Sequence, residues 1–308
     1  QNQLLKKIKD DEFKIEPLER KNEILGFLEK QKLRDIAISR SKVEWGIKLP
    51  FDQSHTAYVW LDAFLNYLTG TGWKGESKIL PRFWPPDTQL MAKDILRVHA
   101  TIWPGLLLAL NISLPKRLFV HGFFTVNGQK MSKSLGNVID PVYLAEKYGA
   151  DVLRFFLLRE IPFGQDGDFS EKRLKERYNS DLASGLGNLV ARVLTMAKKL
   201  KTTTQNLKLK KEIDNTWKKY KKALEEFKFN EALISIWELI SFCDRYIEKE
   251  RPWEENKSAS WRKEEVIGNL LFTISNIAEM LKPFLPETSE KIFKQLKTKE
   301  AKPLFPRI

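Results

Sequence analysis

The chain has 308 residues, a net charge of +13 and a hydrophobic fraction of 42%. That length predicts a sizeable core and two domains, and the composition is ordinary for a soluble globular protein. No run of eighteen apolar residues occurs, so we expect no membrane span and no membrane partner. The basic surplus favours a polyanionic partner such as nucleic acid, although a solvated basic surface explains part of it.

The single cysteine, Cys243, excludes a disulfide framework or a thiolate zinc site within the chain. This fits a reducing, cytoplasmic location. The first residues, from Gln1, lack both an initiator Met and the apolar core of a signal peptide. We therefore expect the chain to begin within a larger protein.

Short apolar strands alternate with helices in the first 140 residues, after one or two charged helices in the first forty. The strand candidates are 55–60, 88–92 and 117–121, and helical patterns cover 61–68, 94–110 and the segment from Asp140. This alternation indicates a parallel α/β sheet, whose ligand lies beyond the carboxyl ends of the strands. Trp60, Asp94 and His121 fall at those ends. Three strands are too few for a complete nucleotide-binding sheet, so we expect the sheet to be incomplete on its N-terminal side.

From about Ser170 onward the sequence predicts one helix after another. Apolar residues at a spacing near 3.6 run through 172–201, 211–227, 230–249 and 261–281. The sequence therefore predicts an α/β domain with half of a Rossmann-like sheet, followed by an all-α helix bundle.

The segment Lys130–Ser134, the lysine loop, carries the most specific signal in the chain. Lys130, Ser132, Lys133 and Ser134 surround Met131 in a short polar segment, and Leu135, Gly136 and Asn137 follow it. Two ammonium groups in a flexible loop suit a lid that closes on phosphates, where they stabilise charge on a leaving pyrophosphate. A solvated charged turn is the alternative.

Aromatic residues follow the first two strand candidates. Trp60, Ala63 and Tyr67 have helical spacing, and His99 and Trp103 share a face of the next helix. Such side chains could line an apolar pocket with a polar rim, which suits a thioether because sulfur packs well at aromatic edges. On spacing alone, an aromatic core cluster is the favoured interpretation.

Three positions at predicted strand ends, Asp94, His121 and Gly122, are candidates for nucleotide contacts. Asp94 could accept bonds from a ribose or an amino group, and Gly122 after His121 allows close approach of a base. The alternatives are a helix N-terminal acid that complements the dipole and an ordinary turn.

The predicted bundle carries a second set of candidates. Asn188 and Arg192 lie four residues apart on one helix, and Trp253 follows in a loop. An amide, a guanidinium and an indole can read and stack unpaired bases. Capping and packing are the alternative, and we favour it for each residue taken alone.

The chain resembles the methionyl-tRNA synthetases, a class I family, from about residue 15 to residue 308. The resemblance rests on the lysine loop and on the segments 58–63, 93–99, 121–125, 162–170 and 179–189. It implies that residues 1–140 form the second half of a class I catalytic domain, that 141–170 form a connecting stem and that 171–308 form an anticodon-binding bundle.

The resemblance also implies a role for each candidate residue. The methionine pocket would consist of Trp60, Ala63, Tyr67, Ile95, His99 and Trp103. ATP would contact Asp94, His121, Gly122, Met131 and Lys133. Catalysis would use Lys130, Ser132, Lys133 and Ser134. The CAU anticodon of tRNA(Met) would be read by Asn188, Arg192 and Trp253.

The implied activity is that of a methionine–tRNA ligase, which forms methionyl adenylate from methionine and ATP and transfers it to tRNA. Mg²⁺ would accompany ATP, and no metal site of the protein is implied. Ala92 and Val98 depart from the family's usual Gly and Phe. The family's first catalytic half, with its His-Ile-Gly-His-type motif, is not in this sequence, so we expect the chain alone to be inactive. Three alternatives stay open. The missing half could be a separate subunit, the enzyme could be another class I synthetase, or the chain could be a non-catalytic tRNA-binding module.

Overall fold

The computed structural model describes residues 1–75, 80–198, 200, 208–254 and 260–308. The chain divides into two compact units, Gln1–Phe123 and Phe124–Ile308. The first contains a parallel sheet and the second is mostly helical, which confirms the predicted α/β region followed by a helix bundle.

The first unit alternates short strands with helices. In chain order its elements are α1 (Asn2–Lys9), β1 (Lys14–Glu16), α2 (Leu18–Lys30), β2 (Ser39–Arg40), β3 (Lys48–Leu49), β4 (Asp52–Ala57), α3 (Val59–Thr69), β5 (Gln89–Ala92), α4 (Leu96–Ala109) and β6 (Arg117–His121). A single 3₁₀ turn over Lys93–Ile95 joins β5 to α4. Gly70 caps α3 at its C-terminal end.

The parallel sheet of this unit has the strand order β1–β6–β5. Ile15 pairs with Leu118, and Ala92 pairs with His121 at the carboxyl ends of β5 and β6. The strand β1 was not predicted, because it contributes only one buried side chain, Ile15, between two charged helices.

The prediction that 55–60 forms a parallel strand is wrong. The strand there is β4, Asp52–Ala57, and it pairs antiparallel with β2 and β3 in a separate small sheet. Trp60 therefore does not lie at the carboxyl end of a parallel strand. It lies in the first turn of α3, one helical turn before Phe64.

Two buried clusters stabilise the first unit, and α4 contributes to both. Leu96 and Ala100 face the sheet together with α1 and α2. Trp103 and Leu107 face α3, where they pack against Phe64. Because α4 is held on both sides, the residues that it carries have fixed positions relative to α3 and the sheet.

The second unit begins with a hairpin and continues as helices. Its elements are β7 (Phe124–Val126), β8 (Gln129–Lys130), α5 (Pro141–Tyr148), α6 (Ala150–Glu160), β9 (Gly167–Asp168), α7 (Glu171–Arg177), α8 (Asn188–Ala197), α9 (Lys210–Glu225), α10 (Phe229–Glu250), α11 (Ser260–Leu281) and α12 (Pro286–Thr298). A π-helical segment, Tyr178–Gly187, joins α7 to α8. The helix predicted from Asp140 is α5, and the carboxylate of Asp140 accepts from the amide of Val142 at 2.8 Å.

The helices of the bundle agree with the predicted ranges within a few residues. The predicted helix 172–201 is built from α7, the π-helical segment and α8. Its predicted end at Lys201 lies outside the described residues, as do residues 202–204, where the run of threonines predicts a loop. The amphipathic helix α12 was not predicted. Buried side chains of all these helices form one continuous core, of which Leu189, Ile236 and Leu270 are fully buried members.

None of the helices in the part of the chain that the structure describes combines the length and apolar character needed to cross a lipid bilayer.

Candidate functional site

An aromatic cluster between α3 and α4 brings together four of the residues predicted for a ligand pocket. Trp60 and Tyr67 of α3 lie beside His99 and Trp103 of α4. The ring centroids of Trp60 and His99 are 6.3 Å apart, and those of Tyr67 and Trp103 are 5.7 Å apart. Trp103 is fully buried, whereas Tyr67 is 37% exposed, so the cluster has an apolar base and an open, polar edge.

Hydrogen bonds fix the imidazole of His99 at that edge. Its Nδ1 lies 2.9 Å from the carbonyl oxygen of Ile95, and its Nε2 lies 2.9 Å from the hydroxyl of Tyr67. Because a carbonyl only accepts, Nδ1 carries the proton, and the Tyr67 hydroxyl donates to Nε2 in the neutral ring. Burial lowers the pKa of His99, against the opposing effect of the bond to Ile95, and burial raises the pKa of Tyr67. The neutral pair therefore prevails near pH 7.

The other two predicted pocket residues are placed differently. Ala63 lies exposed on α3 between Trp60 and Tyr67 in sequence. The carbonyl of Ile95 accepts from His99, while the Ile95 side chain packs against the buried cluster that Leu96 and Ala100 share with the sheet.

Phe64 is a member of the aromatic cluster that was not predicted from the sequence. Its ring stacks on Trp103 at 5.4 Å and meets His99 edge-on at 5.0 Å. Its position four residues after Trp60 and three before Tyr67 is the signal that could have found it. Trp84 and Gln89 were missed too: the Trp84 ring meets Trp103 edge-on, and Gln89 accepts from the Trp103 indole at 3.1 Å.

The predicted nucleotide residues of the first unit lie at the carboxyl ends of β5 and β6. Ala92 and His121 are opposite each other in the register, and Asp94 follows in the 3₁₀ turn with an exposed side chain. The Nδ1 of His121 donates to the carbonyl of Gly122 at 2.8 Å. This is the edge where an α/β sheet binds its ligand.

The lysine loop leaves the β7–β8 hairpin of the second unit. Lys130 ends β8, and a 3₁₀ turn runs from Lys133 to Leu135. The amide of Ser132 donates to Oδ1 of Asn137 at 2.8 Å, and the hydroxyls of Ser132 and Ser134 are 2.7 Å apart. Gly136 ends the turn with a φ of 64°, a left-handed conformation that favours glycine. The loop is thus an ordered turn with exposed Lys130 and Lys133 side chains.

The structure places two of the three predicted base-reading residues in contact. The Arg192 guanidinium of α8 lies over the indole of Trp253, 5.1 Å from the ring centroid. The carboxylate of Glu248 holds Arg192 at 2.6 Å. Asn188 is exposed one turn earlier on α8, and Trp253 is 43% exposed. An open indole beside a guanidinium suits stacking and hydrogen bonding to an unpaired base.

No group of three or more His, Cys, Asp or Glu side chains is placed to hold a metal ion among the residues that the structure describes. Cys243 is buried in α10, and burial raises the pKa of its thiol to about 12. Such a thiol is neutral and unreactive at physiological pH.

Sequence comparisons place these residues in a known family. Residues 1–194 match the sequence model described as tRNA synthetases class I (M), and residues 206–305 match the anticodon-binding domain of tRNA ligase. Methionyl-tRNA synthetase of Mycobacterium tuberculosis, solved in complex with methionyl-adenylate, superposes with a TM-score of 0.90 at 33% identity, over 99% of this chain and 67% of that one. The chain belongs to the methionyl-tRNA synthetases.

Two curated methionyl-tRNA synthetases are also similar. The methionine–tRNA ligase of Caldanaerobacter subterraneus subsp. tengcongensis is 41% identical over 96% of this chain and 48% of its own length. The Bacillus subtilis methionine–tRNA ligase is 38% identical over 100% of this chain and 52% of its own length. The chain therefore spans about half the length of the curated methionyl-tRNA synthetases that it matches. The predicted family is confirmed, while the role of each site residue stays a prediction.

Proposed function

We propose that this chain acts in a methionine–tRNA ligase, which activates methionine with ATP to methionyl adenylate and transfers it to tRNA(Met). The observation that carries the proposal is the aromatic cluster with its Tyr67–His99 pair, found in a chain of the methionyl-tRNA synthetase family. Its polar edge and apolar base match the two ends of methionine.

The methionine pocket uses Trp60, Ala63, Tyr67, Ile95, His99 and Trp103. The thioether packs against the rings, since sulfur at an aromatic edge gains ~0.3–1.5 kcal/mol per contact. The hydroxyl of Tyr67, fixed by His99, remains 37% exposed and can orient the polar end of the substrate. Branched aliphatic amino acids gain less from such a pocket.

ATP contacts Asp94, His121 and Gly122 at the strand ends, and Met131 and Lys133 in the lysine loop. Mg²⁺ enters with ATP as part of the substrate. Lys130, Ser132, Lys133 and Ser134 stabilise the negative charge that develops as pyrophosphate leaves during attack of the methionine carboxylate on the α-phosphate. The protein thus contributes positioning and electrostatic stabilisation. Lys133 is the residue we expect in direct phosphate contact, because its exposed ammonium makes no ion pair within the described residues.

The anticodon is read by Asn188, Arg192 and Trp253. A base stacks on the Trp253 indole, Arg192 donates to acceptors on the base edges, and the Asn188 amide both donates and accepts. The charge of the chain, +13, supplies sequence-independent attraction to the phosphates.

Adenylate formation requires more than this sequence, which contains no pair of histidines at His-Ile-Gly-His spacing. We propose that the rest of the catalytic domain, in the same or a separate polypeptide, completes the site in the cytoplasm. The purified chain should then show little methionine-dependent ATP–pyrophosphate exchange. Robust exchange would contradict this part of the proposal.

Binding to RNA hairpins tests the proposal. Four hairpins are titrated with the chain at one fixed salt concentration: one carries CAU, and each of three variants has one base of CAU replaced, at the first, second or third position. We expect CAU to bind more tightly than each variant by about tenfold, since a mismatched contact costs about 1–3 kcal/mol. Arg192→Lys keeps the charge but loses the planar fork, so it should reduce the preference more than the overall affinity. Equal binding to all four hairpins would leave only charge-driven affinity and would favour a generic RNA-binding module.

A further inference from the structure

The hairpin that leads into the lysine loop is held by a neighbouring strand. β7 and β8 pair antiparallel, with Thr125 opposite Lys130. Their connection, Asn127–Gly128, has positive φ at both residues, as a tight two-residue hairpin requires. The strand β9 pairs in parallel with β7, so that Asp168 lies beside Thr125.

A single carboxylate oxygen joins this strand to the hairpin turn. Oδ1 of Asp168 accepts from the amide of Gly128 at 2.8 Å and from the hydroxyl of Thr125 at 2.8 Å. The bonds from the Gly128 amide and the Thr125 hydroxyl, with a smaller effect of the nearby Asn127 amide, hold the pKa of Asp168 below its usual range. The carboxylate is therefore charged at neutral pH and accepts both from strand β7 and from the turn.

The position of Asp168 is itself fixed by close packing. A Cβ on Gly167 would lie 2.0 Å from Cδ1 of Ile161, so the backbone of β9 rests directly on that side chain. The amide of Phe169 donates to the carbonyl of Thr125 at 2.8 Å, and the Phe169 side chain is buried. Asp168 thus extends from a firmly seated strand toward a hairpin whose turn and second strand, β8, are exposed.

The residue Asn137, which follows the lysine loop in sequence, also holds the loop through side-chain hydrogen bonds to the backbone. The side chain of Asn137 accepts from the amide of Ser132 at 2.8 Å and donates to the carbonyl of Lys130 at 3.3 Å. Asn137 fixes the loop to itself, whereas Asp168 fixes its entry to the rest of the unit. Met131 within the loop packs against the core of the bundle, so Asp168 acts at the hairpin that leads into the loop and Met131 acts within the loop itself.

We propose that Asp168 is a positioning residue of the lysine loop: it fixes the Asn127–Gly128 turn, and thereby the direction in which Lys130 and Lys133 face. It contacts neither substrate nor reacting atoms. The benefit for nucleotide binding rests on the proposed function, because a loop that is already oriented loses less conformational freedom when it closes on phosphates.

Limited trypsin digestion of the full chain tests this proposal, since trypsin cleaves after Lys130 and Lys133. Asp168→Ala should speed cleavage at both bonds by about tenfold, because removal of a shared charged acceptor raises the population of the open loop. Asp168→Asn should restore slow cleavage to within about threefold of wild type, since its amide oxygen accepts the same two bonds. Asp214→Ala removes an exposed carboxylate from α9 and should change nothing.

Three outcomes would overturn the proposal. They are loop cleavage in Asp168→Ala at the wild-type rate, an equal acceleration at sites throughout the chain, and an Asp168→Asn variant as fast as Asp168→Ala. Should Asp168→Ala fail to fold, Thr125→Val removes one of the two bonds and should give a smaller acceleration, of about threefold. Wild-type rates in Thr125→Val would contradict the proposal.

Digestion with MgATP separates this inference from the proposed function. Protection of the two loop bonds in wild type, lost in Asp168→Ala, would support both. An absence of protection in every variant would contradict the proposed nucleotide contact of Lys133, while the rates measured without nucleotide would still decide the role of Asp168.

Discussion

A buried carboxylate links helix α6 to the last helix, α12, and its removal should destabilise the second unit. Oδ2 of Asp151 accepts from both the amide and the hydroxyl of Thr288, each at 2.7 Å. Both residues are buried, Asp151 at 6% and Thr288 at 3% exposure. Thr288 lies in the first turn of α12 and Asp151 in the first turn of α6, so the negative charge also complements two helix dipoles.

Asp151→Ala leaves two buried donors without an acceptor. A hydrogen bond to a charged group contributes about 1.5–3 kcal/mol, and an unpaired buried donor costs about 1–3 kcal/mol, so we expect a loss of ~3 kcal/mol in the free energy of unfolding. For a unit of this size the melting temperature should fall by about 6–12 °C. Urea unfolding followed by circular dichroism measures the free energy, and a thermal scan measures the midpoint.

Matched variants show whether the bonds to Thr288 are the cause. Thr288→Ser keeps both donors and should be nearly neutral, whereas Thr288→Val keeps only the amide and should cost ~1 kcal/mol. Asp151→Asn keeps an acceptor oxygen and should lie between wild type and Asp151→Ala. An Asp151→Ala variant that unfolds within ~0.5 kcal/mol of wild type would refute the reasoning, since that is the range of an ordinary surface substitution.

Three further predictions concern the pH response, RNA binding by the bundle and the packing of β9. Burial lowers the pKa of His99, so in mildly acidic solution the unfolded chain binds a proton that the folded chain does not. The contribution of His99 to stability should therefore be complete above about pH 6.5 and decrease as the pH falls toward the folded pKa. If a His99→Gln variant showed the same loss of stability with acid in urea titrations, this prediction would be wrong. Arg192→Ala should weaken binding of a CAU hairpin by about tenfold, because the guanidinium over Trp253 and its base contacts are lost. If the Arg192→Ala variant bound the hairpin with wild-type affinity in a filter-binding assay, Arg192 would have no role in recognition. Gly167→Ala should destabilise the second unit by ~1–3 kcal/mol, because the added Cβ would overlap the Ile161 side chain. Adding Ile161→Ala to the same chain should recover part of that loss. A thermal scan that shows no recovery in the double variant would mean that the overlap is not the cause.

The bundle could be predicted from the sequence better than the sheet could. Helices such as α10 and α11 run for 22 residues each, so their apolar spacing stands out clearly. The strand β1 has three residues and one buried side chain, which is too little for any periodicity. The strand β4 was found, but its partners were not, because a single strand does not reveal whether its neighbours run parallel or antiparallel.

The same contrast holds for the candidate site. His99 and Trp103 could be paired from their spacing on one helix, and Trp60 and Tyr67 likewise. Their meeting depends on how α3 packs against α4, which the sequence does not state, and Phe64 was missed for that reason. Asp168 lies some forty residues from the turn that it holds, a contact that only the tertiary structure reveals.

Recognition of methionine by the aromatic cluster is the central claim, and binding of free amino acids to the purified chain tests it most directly. Calorimetric or tryptophan-fluorescence titrations compare methionine with leucine, which has a similar size but no sulfur. Methionine should bind more tightly by about tenfold, because its thioether gains contacts with the accessible rings of Trp60 and Tyr67. The Tyr67→Phe variant should weaken methionine binding by removing the hydroxyl held by His99. Equal affinities for methionine and leucine in the wild-type chain would contradict the assignment of this cluster as a methionine pocket.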